Sequence, residues 1–170
     1  MSAARLASLV GPLGVVWGLK AAHGGADAAR FEWLLRPTAW LVSALTGARF
    51  ERTPGEGYLS RADSYVLAPS CAGLNFLLAA FLTLAFLFTW RRPLPVALPR
   101  LLASLLGAWA LTVVVNTVRI TLALALHHRP ALAARLPLGA DDAHRWLGVL
   151  VYAGALFALH AALSRRPVST

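Results

Sequence analysis

Ala68-Pro69-Ser70-Cys71-Ala72-Gly73-Leu74-Asn75-Phe76 opens an uncharged tract that runs through Phe81, Phe86 and Phe88 to Trp90. A helix needs about 20 apolar residues to cross a bilayer core, and Ala72 to Trp90 meets that requirement, so this stretch sets the class of the whole chain. At its head stand the single cysteine, Cys71, and two helix-start residues, Pro69 and Ser70. With Ser70 as N-cap, Cys71 would occupy the first helical turn, where free backbone N–H groups and the helix dipole favour a thiolate. A lone cysteine in apolar surroundings is more often simply a small buried hydrophobe. The residue type alone leaves both readings open.

Composition points the same way as the tract. Hydrophobic residues make up 58% of the chain and charged residues 14%, and the mean hydropathy is +0.64, too apolar for an ordinary soluble domain. A chain of 170 residues has no room for a soluble domain beside several spans. The expectation is an all-α fold: one integral-membrane helical bundle over residues 1–170, with about four transmembrane helices. One cysteine rules out an internal disulfide.

Working outward from Cys71, the spans fall at about 6–22, 72–90, 101–126 and 146–163. The first has Gly11, Pro12 and Gly14 inside it and is also readable as a signal peptide, since Ala26-Asp27-Ala28 has the look of a cleavage site. Between it and Cys71, residues 23–71 form a long loop. Its Thr38–Leu45 segment is apolar but too short to span, and Trp33 and Trp40 flank Pro37, which predicts an interfacial or re-entrant helix. Thr53-Pro54-Gly55-Glu56-Gly57 reads as a turn, and Tyr65-Val66-Leu67 as a short extended approach to Pro69. A second polar loop covers 127–145.

The net charge of +9 would suggest nucleic acid in a soluble protein. Here the charge is explained by topology instead. Every acidic residue lies in one of the two long loops, whereas Arg5, Arg91, Arg92, Arg100, Arg165 and Arg166 stand in segments free of acids. The basic segments are therefore expected on the cytoplasmic side and the two long loops outside. Nucleic acid is discounted as a partner, and the lipid bilayer takes its place.

This topology brings Cys71, Arg119 and His144 to one level at the outer face, each from a different helix. Arg119 stands eight residues before His127, about 12 Å along a helix, which suits a recessed site. Thr112, Asn116 and Arg119 share a helix face, and such polar stripes face a bundle interior or a water-filled cavity. A thiol, an imidazole and a fixed cation are the parts that nucleophilic acyl transfer requires. Arg119 could equally snorkel to the interface, and His127 and His128 compete with His144. No zinc, phosphate-loop, dithiol or serine-elbow motif is present, and no cofactor is expected.

Ser70-Cys71-Ala72-Gly73-Leu74-Asn75-Phe76, then Asn116-Thr117-Val118-Arg119-Ile120, then His144 with Gly148 four residues later, resemble the exosortase/archaeosortase family. The chain is shorter than a typical exosortase and resembles the small branch called exosortase K. The resemblance implies a cysteine protease or transpeptidase of the bacterial cytoplasmic membrane, with its active site on the outer side. Its partners would be exported proteins carrying a C-terminal sorting signal of motif, helix and basic tail. Cys71 would be the nucleophile, Arg119 the transition-state stabiliser and His144 the proton shuttle, supported by Asn116, Ser70, Gly73 and Asn75. The alternative is a non-catalytic membrane subunit or small-solute permease in which Asn116 and Arg119 line a polar path.

Overall fold

The computed structural model describes residues 3–24, 27–91, 98–129 and 140–164, with the backbone alone given for 3–9, 87–91, 140, 141, 143 and 144. Five α-helices are described: α1 (Ala3–Ala22), α2 (Glu32–Thr46), α3 (Leu74–Arg91), α4 (Leu98–His127) and α5 (Ala140–Ser164). Among the described residues, three helical segments are long and apolar enough to cross a membrane: Pro69–Phe86, Leu98–His127 and Arg145–Ser164. The expected first span is not one of them. Its residues form helix α1, of which Val10–Ala22 is the apolar part with described side chains. Residues 92–97 of the expected basic connection from Arg91 to Arg100, Arg165 and Arg166, and most of the expected loop at 127–145 lie outside the described residues.

Contacts divide the chain into two compact units. The first comprises Met1–Ala26, Leu74–Thr112 and Leu156–Thr170, and the second Asp27–Gly73 and Val113–Ala155. In the first, α1 packs on α3. A Cβ on Gly107 of α4 would stand 3.4 Å from Leu84 of α3, so a small residue lets these helices approach closely.

The second unit holds a layer that departs from the all-α expectation. Three short strands, β1 (Glu51–Thr53), β2 (Gly57–Ser60) and β3 (Tyr65–Leu67), form an antiparallel sheet in the order β1-β2-β3. Tyr58 pairs with Arg52 on one side and Leu67 on the other. The turn expected at Thr53–Gly57 joins the first two strands, with Glu56 N–H donating to the Thr53 carbonyl. Gly57 has φ of +115°, and a Cβ there would run into the Leu67 carbonyl, so only glycine fits.

Helix α2 backs this sheet and buries Leu34, Leu35, Thr38, Ala39 and Val42, while Trp40 and Leu45 stay exposed. That helix reaches from Glu32, well before the apolar segment anticipated at Thr38. Gly47, with φ of +77°, ends it by donating to the Ser43 carbonyl. A cluster of Glu32, Arg52 and Tyr58 ties α2 to the strands: Glu32 accepts from Arg52 Nε at 2.7 Å and from the Tyr58 hydroxyl at 2.8 Å.

Candidate functional site

Every residue that comes together at the site belongs to the second unit. Strand β3 ends in fully buried Leu67, and the chain then turns through Ala68 into a 3-10 turn over Pro69–Cys71. Pro69 opens the turn, Cys71 N–H donates to the Ala68 carbonyl at 2.8 Å, and Gly73, at φ of +76°, separates the turn from α3. This corrects the expectation that Ser70 caps the spanning helix. Ser70 lies inside the 3-10 turn, whose own cap is Ala68 with no side-chain hydrogen bond, and it is exposed. Cys71 therefore precedes α3 instead of sitting in its first turn, and the helix-dipole argument for a thiolate loses its geometric basis. Gly73 has a clear role as the residue that accepts the left-handed break.

Cys71 is nonetheless built into a polar network. Asn116, fully buried on α4, donates from Nδ2 to the Cys71 carbonyl at 2.6 Å. Its Oδ1 accepts from the Tyr152 hydroxyl of α5 at 2.8 Å and lies 3.5 Å from Arg119 Nη1. The same Nη1 stands 3.4 Å from Tyr152 Oη, and the guanidinium carbon is 5.5 Å from the Tyr152 ring centroid. The two contacts at 3.4 and 3.5 Å are long for hydrogen bonds, so the amide and phenol act on the cation as oriented dipoles and a π face. Arg119 is only 8% exposed. A charge that deep is expensive without such an environment.

Helix α5 shapes itself around the guanidinium. A Cβ on Gly148 would stand 2.9 Å from Arg119 Nε, closer than a side chain tolerates. The glycine four residues after His144 thus makes room for the arginine. His144 is in α5, not in the preceding loop as expected, and lies one helical turn before Gly148. Its side chain lies outside the description.

Thr112 takes a different part from the one its place on the stripe suggests. Its hydroxyl donates to Ala108 of its own helix at 2.7 Å. Asn75 is exposed in the first turn of α3, and none of the site's hydrogen bonds includes it. His127 and His128 serve the end of α4: the His127 ring meets Tyr65 edge-on at 6.1 Å, and His128 Nε2 lies 3.0 Å from Asp63 Oδ1. Asp63 in turn accepts from the Ser60 hydroxyl at 2.6 Å. These histidines fasten the helix end to the β2–β3 turn.

No family model matches the chain, and no curated protein or solved structure matches it either. The site is therefore read from its own residues.

Two of those residues escaped the sequence reading. Tyr152 and Tyr65 both lie within electrostatic reach of Cys71 and Arg119. Tyr152 had a usable signal, since it falls one turn after Gly148 on the helix that carries His144. Tyr65 had none beyond its place at the start of the approach to Cys71. Burial pushes the Tyr65 phenol up to about 12; Cys71 adds to the rise and Arg119 opposes it. It remains a protonated donor throughout the neutral range. Among the described residues, no three His, Cys, Asp or Glu side chains gather as a metal-ligand set.

Proposed function

We propose that this chain is an exosortase-like membrane cysteine protease or transpeptidase that cleaves a C-terminal sorting signal on exported proteins. The observation that carries this reading is the Asn116 bridge, whose amide holds the Cys71 backbone on one side and faces Arg119 and Tyr152 on the other. A buried cation linked through Asn116 to the backbone of the single cysteine suits a developing oxyanion better than it suits lipid packing.

In this reading the Cys71 thiolate attacks the scissile carbonyl carbon. A C–S bond forms, and the carbonyl π pair moves onto oxygen opposite the Arg119 guanidinium. Collapse restores the C=O and breaks the C–N bond, with His144 delivering the proton to the departing amine. The resulting thioester is released by water or by an acceptor amine. Asn116 and Tyr152 position the guanidinium, and Gly148 leaves space for it. The site would face outward across the bacterial cytoplasmic membrane, where the acid-containing loops are expected.

The test is co-expression with exported proteins bearing a C-terminal motif, apolar helix and basic tail. Cys71→Ala should abolish processing while insertion and abundance stay near normal, because the substitution is small and leaves the carbonyl that accepts from Asn116. Cys71→Ser should be nearly as inactive, since a hydroxyl is far less ionised than a thiol. Processing that persists in both variants would favour the non-catalytic membrane subunit or permease.

A further inference from the structure

A buried hydroxyl with no partner has a use or a cost. Tyr65 Oη is fully shielded from solvent and finds no hydrogen-bond partner among the described residues. Leaving a buried hydroxyl unsatisfied carries its full desolvation penalty, which a fold normally avoids. The ring is fixed from two sides. Tyr65 begins β3, in register with Ser60, and its edge meets His127. The phenol is within electrostatic reach of both Cys71 and Arg119, and only five residues separate it from the sulfur along the turn that presents Cys71.

We infer that Tyr65 is a second oxyanion donor, its hydroxyl waiting for the carbonyl oxygen of the substrate acylating Cys71. The inference rests on the acyl-transfer reading above and extends it. As thiolate attack transfers the π pair onto oxygen, Tyr65 donates a hydrogen bond to that oxygen and keeps its own proton. Arg119 supplies the charge and Tyr65 the neutral, directional donor. When the intermediate collapses the oxygen returns to a carbonyl and the bond weakens, so Tyr65 favours the transition state over the ground state. Its high pKa suits this role, because the phenol keeps its proton throughout the neutral range.

Two small reagents separate this role from packing without any knowledge of the natural substrate. p-Nitrophenyl acetate acylates a thiol through a tetrahedral oxyanion: the C–S bond forms, the carbonyl is restored and p-nitrophenolate leaves. Iodoacetamide alkylates the same sulfur by displacing iodide, and no carbonyl oxygen gains charge. Both rates are measured on the purified full chain in detergent as modification of Cys71 by intact mass, with Cys71→Ala as the blank.

Tyr65→Phe keeps the ring against His127 and removes only the hydroxyl. The ratio of acylation to alkylation should fall about 10- to 100-fold in this variant, through slower acylation, in line with loss of one donor. An unchanged ratio, or two rates that move together, would overturn the Tyr65 role while leaving the acyl-transfer reading intact. If p-nitrophenyl acetate fails to modify Cys71 in the unaltered protein, the parent reading fails and this one with it.

Discussion

The two halves of α4 are drawn from one apolar tract, yet they bury different chemistry. In the half before Val113, the buried polar residues are Ser104 and Thr112, both small, and Gly107 and Ala108 allow close packing. The half from Val113 on buries Asn116, Thr117 and Arg119 among Val113, Val115, Ile120 and Leu124. A threonine can hide its donor locally, as Thr112 does on Ala108 and Thr117 on Val113. An amide and a guanidinium cannot. They need partners from elsewhere in the chain, and Asn116 and Arg119 find them at Cys71 and Tyr152. The polar network arises where the helix carries groups that its own backbone cannot satisfy.

The sharpest way to break this contrast is to alter one polar residue in each half. Arg119→Lys keeps a charge but loses the planar fork, and on the proposed acyl-transfer reading turnover of a sorting-signal substrate should drop roughly 100-fold or more with normal accumulation. Arg119→Ala should do no better, whereas Ser104→Ala should stay within about twofold of the starting protein. Asn116→Ala should show a smaller loss of turnover than Arg119→Lys. It should also lower the melting temperature, because the Cys71 carbonyl and Tyr152 hydroxyl lose their partner, at about 1–3 kcal/mol. Single-turnover assays normalised to folded protein, with melts in detergent, decide this. Near-normal turnover in Arg119→Lys would make the residue an interfacial anchor.

A milder contrast uses glycines. Gly148→Ala puts a methyl group 2.9 Å from Arg119 Nε, so the guanidinium must shift. On the proposed reading about tenfold slower turnover is expected, since small misplacements of an oxyanion-stabilising group are costly. Gly107→Ala meets only the movable end of Leu84 at 3.4 Å and should leave turnover unchanged. Gly154→Ala meets nothing within 4 Å and should stabilise α5 by up to about 1 kcal/mol. Equal turnover in Gly148→Ala and Gly107→Ala would remove the claim that α5 is shaped around Arg119.

The smallest effect concerns the Glu32, Arg52 and Tyr58 cluster of the second unit. The Tyr58 hydroxyl, and after it Arg52, holds the Glu32 carboxyl below its ordinary value of 4.5, against a partial opposing effect of burial. A depressed carboxyl favours the folded state above the unfolded pKa, and that contribution is lost as pH falls through the folded one. Acidification from pH 6 toward pH 3 should therefore lower the melting temperature slightly, and Glu32→Gln should flatten the slope. An identical slope in Glu32→Gln would assign the acid sensitivity to other carboxylates.

Much of the helical layout was legible because apolar length is a local property: the tracts from Ala72, Leu101 and Trp146 became helices with ends displaced by a few residues. The turn at Thr53–Gly57 and the extended Tyr65–Leu67 were also readable from Pro, Gly and pre-proline preferences. The sheet was not, because strands of three or four residues carry too little alternation to register, and β1 exists only through its pairing with β2. The Ser70 cap failed for a related reason. Ser70 and Pro69 open helices in general, but Gly73 at positive φ closes this turn before the long helix begins.

By itself the sequence determined where an apolar chain must form helices, and which unusual groups, Cys71, Asn116 and Arg119, would be costly to bury. Tertiary structure alone decided what offsets that cost. Asn116 spans 45 residues to reach the Cys71 carbonyl, and Tyr152 lies 36 residues from Asn116. Hydrogen bonds at such separations leave no periodicity in the chain, because their geometry is set by how elements pack and not by the spacing of residues along any one of them.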